Sequence, residues 1–284
     1  MSGITLEDAQ ALLAESNLIT VGARGDDERR RRHGARTTFV RVFEVHVDAL
    51  PAALPASANA GEIRITGRPA SVEAAAAAVA AARAFAGTVP VTAYSLADLL
   101  DLAGGSAASL AGVLREISRA GLEALAEAPL DVLPDPAAAI RAAHGASLQV
   151  PRLTVQRGAE GGPLDLLSRA RALQAAVGGI RAFAPLARVS SVAQPSTGYD
   201  DVRLIAAARL VVDNIDSIQV DWALYGPKLA QFALTVGADD VDGVSPLEGD
   251  LGRRRSPLEE IRGNVKAAGL EPIERDGLFA AFRQ

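Results

Sequence analysis

The chain has 284 residues, 49% of them hydrophobic, which is enough for one large domain with a substantial core. Its formal net charge of −5 gives no general reason to expect nucleic acid or an anionic membrane as a partner. The chain contains no cysteine, which excludes disulfides, thiolate metal sites and cysteine nucleophiles. No stretch reaches the ~18 uninterrupted apolar residues of a membrane span, so we expect a cytoplasmic protein.

The sequence pattern alternates between helix and strand along the chain. Residues 37–47 (TTFVRVFEVHV) are rich in β-branched residues and partly alternating, which predicts a strand. Thr5 and Ser71 are each placed to cap the helix that follows. In chain order we predict helix 5–16, an irregular charged segment 25–36, strand 37–47, loop 48–61, strand 62–66, helix 71–85, strand 89–94, helices 96–102 and 106–120, an ambiguous stretch 123–133, helix 135–144, strand 147–155, helix 164–177, strand 180–186, helix 199–213, strand 217–223, and helices 227–236 and 257–268.

This alternation repeats about seven times with the spacing typical of a parallel sheet. It favours an α/β fold, and a TIM-barrel-like fold, partial or complete, more than an open sheet. We expect a single domain over residues 1–284, with an N-terminal helix and charged lead-in at 1–36. The barrel itself is expected at 37–244 and a C-terminal helical extension at 245–284.

Three polar residues alternate along the first predicted strand. Glu44, His46 and Asp48 face the same way if the strand is regular. A carboxylate–imidazole–carboxylate row at the C-terminal end of a barrel strand can transfer protons or bind a divalent metal. The alternative is that these groups close the barrel mouth with mutual hydrogen bonds. We keep all three as candidate catalytic residues.

Arginines near the strand ends are candidate ligand-binding groups. Arg188 lies just beyond a predicted strand and is placed to reach the barrel mouth, where a guanidinium can hold a carboxylate or phosphate. Because side chains alternate along a strand, about half of such arginines must face outward. The arginines on or just after predicted strands are Arg64, Arg68, Arg152, Arg157, Arg181 and Arg188.

The strand predicted at 217–223 and the helix after it supply further candidates. Asp221 and Trp222 lie at the end of this strand, and Trp222 can stack on a purine, although core packing explains it better. Lys228 lies in the first turn of the following helix, whose free N–H groups can bind an anion. Pro227 at that position is equally explained by helix geometry alone.

Two other charged groups favour a structural interpretation. Asp239, Asp240 and Asp242 can form a cation site, but such runs usually serve as turn and capping residues. The basic clusters at 28–36 and 253–255 would need a broadly positive face and stacking aromatics to bind nucleic acid. Aromatic residues make up 4% of the chain and the net charge is negative, so solvated charge is the better interpretation.

Several runs in the second half of the chain carry a family resemblance. They are residues 179–187 (GIRAFAPLA), 195–203 (PSTGYDDVR), 207–210 (AARL), 213–215 (DNI), 219–222 (QVDW), 226–231 (GPKLAQ), 237–240 (GADD) and 271–276 (EPIERD). Together they resemble aminofutalosine synthase, a radical S-adenosylmethionine enzyme of the futalosine route to menaquinone. The resemblance is specific over residues 178–243 and looser upstream. It implies a barrel of the radical S-adenosylmethionine type and a role in menaquinone biosynthesis.

The chain departs from that family where the cofactor chemistry lies. The family carries three cysteines in the loop after the first strand, whereas residues 48–57 (DALPAALPAS) contain none. Thiolate is the ligand that binds such clusters, so we expect no 4Fe–4S cluster and no reductive cleavage of S-adenosylmethionine. The family motif that supports the methionine end of S-adenosylmethionine is reduced to residues 66–69 (TGRP). Whether S-adenosylmethionine still binds is left open.

Three functions of different classes are compatible with these features. The first is a non-radical pseudoenzyme, partner or ligand-binding subunit in menaquinone biosynthesis, which pairs with an intact radical S-adenosylmethionine relative or with itself. The second is an enzyme of changed chemistry, in which Glu44, His46 and Asp48 act on a futalosine- or chorismate-derived substrate. The third is an oligomeric scaffold whose barrel mouth is filled by side chains.

Overall fold

The computed structural model of the protein describes residues 4–158, 161–189, 198–247 and 257–282. Within these ranges, eight parallel strands form a closed barrel. They are β1 (Arg36–His46), β2 (Glu62–Thr66), β3 (Val91–Ser95), β4 (Ala124–Pro129), β5 (Arg152–Val155), β6 (Ala182–Ala187), β7 (Ser217–Asp221) and β8 (Asp240–Val244). The barrel closes because β1 pairs with both β2 and β8. The predicted TIM-barrel-like α/β fold is therefore confirmed.

Helices surround this barrel. They are α1 (Leu6–Ala14), α2 (Leu18–His33), α3 (Val72–Ala86), α4 (Leu96–Leu102), α5 (Ala107–Arg119), α6 (Pro136–Gly145), α7 (Gly162–Val177), α8 (Gly198–Val211), α9 (Trp222–Leu234) and α10 (Pro257–Ala267). Gly226 breaks α9 with φ 76° and ψ 165°, so its second part begins at Pro227 as predicted. Most predicted elements agree with the structure to within a few residues, and the ambiguous stretch 123–133 contains β4.

Strand β2 shows how alternation separates the apolar core from a polar barrel interior. Ile63 and Ile65 are fully buried and belong to the hydrophobic core between strands and helices. Helix α3 packs against β2 and contributes Val79 to the same core. Because successive strand side chains face opposite ways, Glu62 and Arg64 lie on the inner face of the barrel. The largest concentration of buried charge therefore lies inside the barrel.

The charged segment before β1 is helical, and the prediction of an irregular region at 25–36 is wrong. Helix α2 begins after Asn17, whose side chain accepts hydrogen bonds from the first turn. Asp26 and Glu28 each form ion pairs with arginines three and four residues later, at 2.6–2.9 Å. Such spacings bring side chains together on one helical face. At Gly25 a Cβ atom would lie 2.1 Å from the Val236 carbonyl oxygen, so a small residue is needed for this close packing.

Two strands near the C-terminus were not predicted. The sequence favours turn and capping roles for residues 239–242, and this prediction is wrong because Asp240–Val244 is the barrel strand β8. Strand β9 (Glu271–Glu274) pairs in parallel with the first residues of β1. Among the described helices, none alone has the length and apolarity to cross a membrane, and only α4 and α5, bent by 111°, satisfy both criteria as a pair.

Candidate functional site

A buried ionic network occupies the middle of the barrel. Arg64 donates to Glu62 at 2.9 Å and to Asp242 at 2.7 Å. Arg152 reaches the same two carboxylates at 2.5 and 3.0 Å and also donates to the Ala126 carbonyl. These four charged side chains are at most 7% exposed. Four strand residues thus form a closed set of paired charges, which is the requirement for burying them.

The electrostatics of this network follow from its burial. Burial raises the pKa of Glu62 above its ordinary value, and the nearby Arg64 guanidinium opposes that shift. Burial alone would lower the pKa of Arg64, but the Asp242 and Glu62 carboxylates outweigh it and hold that pKa above the ordinary value. The guanidinium is therefore charged at all relevant pH values.

A cavity of about 230 Å³ lies above the network, at the C-terminal ends of the strands. This is the end of a barrel at which active sites are found. Polar and charged groups dominate its wall: the lining residues are Glu44, Arg64, Ile65, Thr66, Gly67, Tyr94, Ser95, Asp98, Ala126, Glu127, Arg152, Thr154, Gln156, Arg188 and Asp242. We call this space the mouth cavity.

Arg188 holds two carboxylates together at the mouth cavity. Its guanidinium lies 3.2 Å from Asp221 and 3.5 Å from Glu127. Asp221 also caps α9 by accepting from the Leu224 N–H at 3.0 Å. Burial is the main cause that raises the pKa of both carboxyl groups, and Arg188 opposes it in each case. Arg188 therefore favours the ionised form of both carboxyl groups, against the effect of burial on their pKa values.

The three candidate catalytic residues Glu44, His46 and Asp48 do not lie together at the cavity. Glu44 lines the mouth cavity, 3.8 Å from the Arg64 guanidinium, and burial raises the pKa of its carboxyl group. His46 and Asp48 lie further out, with side chains 55% and 72% exposed and 3.6 Å apart. The Asp48 backbone N–H lies 3.3 Å from His46 Nδ1 and donates to it. The structure therefore places only Glu44 of this row in the cavity wall.

Three other predicted ligand-binding residues lie outside the cavity wall. Arg68 is two-thirds exposed and forms ion pairs at 2.6 Å with Asp98 and Asp101. Trp222 is 9% exposed and packs in the hydrophobic core. Lys228 is exposed on α9 and makes no hydrogen bond or ion pair with any described residue. Of the predicted arginines, Arg64, Arg152 and Arg188 line the cavity, and Asp221 contacts it through Arg188.

The sequence analysis did not identify Glu127, Thr154 and Gln156, three polar residues of the cavity wall that are linked by hydrogen bonds. Glu127 accepts from Thr154 at 3.1 Å and from Gln156 at 2.7 Å. Glu127 lies near the C-terminal end of β4, inside the stretch left ambiguous. A glutamate between small apolar residues at a strand end is the signal that could have identified it.

The three aspartates at 239–242 do not gather at a cation site. Asp239 pairs with Arg209, Asp240 with Arg275, and Asp242 with the two arginines of the network. Each carboxylate thus has a guanidinium partner. Nowhere in the described ranges do three or more histidine or acidic side chains gather as metal ligands would. The basic cluster at 253–255 lies outside the described residues, as do residues 195–197.

The donor set does not fit an iron–sulfur cluster of the kind that the resemblance implies. The loop between β1 and β2 contains Asp48 as its one ionisable residue, and the whole sequence lacks cysteine. Thiolates hold such clusters in proteins. This chain therefore supplies no thiolate ligand for a cluster.

The fold and the mouth cavity define the class of protein, a TIM-barrel-like α/β protein with a polar site at the strand C-termini. Methylornithine synthase (PylB) has a similar structure, with a TM-score of 0.66 and 13% identity over 95% of this chain and 94% of that one. The FeFe-hydrogenase maturase HydG from Carboxydothermus hydrogenoformans also has a TM-score of 0.66, with 10% identity, over 95% of this chain and 76% of that one. These similarities concern the fold.

Sequence comparison finds relatives that are similar over part of the chain. Residues 182–282 match the family model of the CofH/MqnC C-terminal region. Aminodeoxyfutalosine synthase of Thermus thermophilus is 36% identical over 135 residues, which span 42% of this chain and 36% of that protein. A 5-amino-6-(D-ribitylamino)uracil–L-tyrosine 4-hydroxyphenyl transferase of Methanosarcina acetivorans is 29% identical over 213 residues, or 62% of this chain and 55% of that protein. The chain is a divergent, cysteine-free relative of the aminofutalosine synthase family, and it spans about a third of the length of the synthase it matches.

Proposed function

We propose that this protein is a non-radical, ligand-binding relative of aminofutalosine synthase that acts in menaquinone biosynthesis. The observation that carries the proposal is the mouth cavity, which gathers polar and ionisable side chains at the C-terminal end of the strands in a barrel that has no cysteine. Convergent polar groups that fix the orientation of a ligand are a feature of small-molecule sites. Because the chain has no thiolate of its own, binding rather than radical generation is the function that its residues support.

The side chains at the cavity favour a polar ligand that carries both donors and acceptors. Arg188 and Gln156 present donors, and Glu44 presents a carboxylate whose nearest cation is 3.8 Å away. The side chains of the network below are almost completely buried, whereas Glu44, Gln156 and Arg188 are at least partly exposed, so these upper side chains are the ones that a ligand can reach. The open cavity also argues against a scaffold whose mouth is filled by side chains.

Support for the pathway comes from the relatives. The segment that matches the family model contains Arg188 and Asp221, so the similarity includes part of the mouth. The aminodeoxyfutalosine synthases favour a futalosine- or chorismate-type ligand. The longer match to the uracil–tyrosine transferase favours a second ligand set, L-tyrosine or the ribitylaminouracil named in it.

Thermal unfolding with added ligand tests this function. The compounds are S-adenosylmethionine, adenosine, futalosine and chorismate, with L-tyrosine and 5-amino-6-(D-ribitylamino)uracil as the second set. A ligand at one hundred times its Kd stabilises the folded state by about 2.7 kcal/mol, which raises Tm by roughly 5–10 °C for a chain of this size. A response to the first set alone supports the menaquinone pathway.

Two variants locate the binding. Arg188→Gln and Glu44→Gln should each abolish the response, because they remove the charges at the cavity wall. Glu116→Gln is the matched control, since this carboxylate is exposed on α5 and pairs with Arg119. A Tm that no compound raises, or a response that persists unchanged in both mouth variants, contradicts the proposed site.

The partner is the second part of the proposal. We expect association with an intact, cysteine-bearing aminofutalosine synthase or with a second copy of this chain. Co-expression followed by affinity capture and size-exclusion chromatography measures both. Elution as a monomer with no captured synthase excludes the partner role and leaves the ligand-binding role to the thermal assay.

An enzymatic role is the alternative, and Glu44 is the residue that favours it. Burial raises the pKa of this cavity carboxyl group, which suits a general acid or base. Purified protein would then convert a futalosine- or chorismate-derived compound without iron or reductant. Activity lost in Glu44→Gln but retained in His46→Ala would assign the chemistry to the cavity wall rather than to the exposed His46–Asp48 pair.

A further inference from the structure

A second cavity lies at the opposite, N-terminal end of the barrel. Its volume is about 270 Å³, and we call it the basal cavity. A single water needs roughly 10–15 Å³ of such space, so a small ligand fits. It is bounded by the end of α2, the starts of β1, β6 and β7, and the turn after β9: the lining residues are Arg32, His33, Arg36, Thr38, Arg181, Asp216, Ser217, Asp239, Arg275 and Phe279.

The charge of the basal cavity is positive. Four arginines line it against two aspartates, and burial lowers the pKa of His33, which keeps the imidazole neutral near pH 7. The aspartates are already engaged: Asp239 pairs with the buried Arg209, and His33 lies 3.4 Å from its other oxygen. An anion in the cavity would therefore meet guanidinium groups that the lining carboxylates do not neutralise.

Two of the arginines have guanidinium groups available to a ligand. The Arg36 side chain makes no hydrogen bond or ion pair with any described residue. The half-exposed Arg181 side chain has one ion pair, 3.6 Å from the two-thirds exposed Asp216, and no hydrogen bond within the described ranges. By contrast, Arg275 is held by Asp240 through two hydrogen bonds and contributes mainly its charge. Arg36 and Arg181 thus present guanidinium donors to the same cavity from the starts of two strands.

The turn after β9 adds an aromatic wall. Phe279 has a φ of 68°, a left-handed conformation that is unusual for a bulky residue. Its turn is fixed by the Asp276 side chain, which accepts from the Leu278 and Ala280 N–H groups. The ring stacks 3.8 Å from the Arg275 guanidinium. Strain of this kind persists where the surrounding structure imposes it, often at a ligand site.

We propose that the basal cavity is a second binding site, which takes a small oxyanion (a phosphate or carboxylate group) between the guanidinium groups of Arg36 and Arg181. Planar guanidinium forks match the geometry of both oxyanions. The site is separate from the mouth cavity and does not depend on the ligand bound there.

Isothermal titration of the full chain with inorganic phosphate and, separately, with succinate tests the site at constant ionic strength. Three proteins are compared: the wild-type protein, a cavity double variant (Arg36→Ala with Arg181→Ala) and a control double variant (Arg30→Ala with Arg119→Ala). The control removes two exposed arginines that do not line the cavity, so both double variants change the net charge equally. A fourth protein, Arg188→Gln, tests whether the anion binds in the mouth cavity instead, because binding there would weaken in this variant.

We expect the cavity variant to bind at least about tenfold more weakly than the wild-type protein, because two charge-assisted contacts are lost. The control and the mouth variant should bind as the wild-type protein does. The anion that binds with the lower Kd, phosphate or succinate, shows whether the site prefers a phosphate or a carboxylate group. The proposal is overturned if neither anion binds at millimolar concentration, if the two double variants weaken binding equally, or if Arg188→Gln alone removes it. Unchanged circular dichroism of each variant shows that folding is not the cause.

Discussion

Arg152 is the side chain that most directly balances the buried carboxylates of the barrel. Its guanidinium lies 2.5 Å from Glu62 and 3.0 Å from Asp242, and it is 1% exposed. Arg152→Ala leaves these two carboxylates with Arg64 as their remaining partner in the network. Removing one member of a buried ion pair costs about 3–5 kcal/mol, because the opposite charge stays buried and uncompensated. For a chain of this size the corresponding fall in Tm is roughly 6–20 °C.

The destabilisation by Arg152→Ala should also depend on pH in one direction. Burial already raises the pKa of Glu62 above 4.5, and loss of the Arg152 charge raises it further. Above pH 4.5 the folded state then binds more protons than the unfolded state, so its stability falls as pH rises through the folded-state pKa. The deficit of the variant should therefore grow with increasing pH and shrink as Glu62 becomes protonated.

Urea unfolding followed by circular dichroism at about pH 5 and about pH 8 measures both effects. Arg119→Ala is the control, because this arginine is 71% exposed and pairs with the exposed Glu116. The control should stay within about 0.5 kcal/mol of the wild-type protein at either pH. A loss in Arg152→Ala no larger than that of the control, or a deficit that is equal at both pH values, would refute the assignment of a charge-balancing role.

Further predictions concern the mouth of the barrel. Gly67→Ala should lower Tm more than Gly87→Ala: both positions have positive φ, but a Cβ at Gly67 would lie 2.5 Å from His46 Nε2, whereas none of the described atoms lies within 4 Å at Gly87. Equal Tm values would show that the His46 ring moves freely. Arg188→Gln should raise the pKa of Asp221 further, since the guanidinium opposes the effect of burial. The loss of stability in Arg188→Gln should accordingly be greater at high pH than at low pH. NMR titration of the Asp221 carboxyl group measures the pKa, and urea unfolding measures the stability. An Asp221 pKa that does not rise would contradict the role of Arg188.

The barrel could be predicted because its strands and helices differ in local pattern. Strand β2 places Ile63 and Ile65 on one face, and Ser71 caps α3 by accepting from the Ala74 N–H. Strand β8 lacked that pattern, because Asp240 and Asp242 face the barrel interior and are paired with arginines from other parts of the chain. Such pairing depends on residues distant in sequence, and no local periodicity reports it.

The candidate site was predicted in part for the same reason. The position of Arg188 beyond a strand predicted its place at the mouth, and alternation along β1 predicted that Glu44 shares a face with His46. The sequence does not indicate how far along β1 the barrel extends, so it could not separate Glu44 in the cavity from the exposed His46. The role of Arg152 depends on the tilt and register that bring β5 opposite β2 and β8, which only the closed barrel determines.

Paired charges occupy the interior of this barrel. Branched apolar side chains usually fill the interiors of such barrels. In the described part of this chain, three carboxylates are instead paired with three arginines there: Glu62, Asp240 and Asp242 with Arg64, Arg152 and Arg275. Each partner must be present for the others to be neutralised, so the set requires one arrangement of the strands. This set lies below Glu44 and Arg188. Because Arg64, Arg152 and Asp242 of this set form part of the cavity wall, the binding surface can diverge at Glu44 and Arg188 without replacing the paired charges themselves.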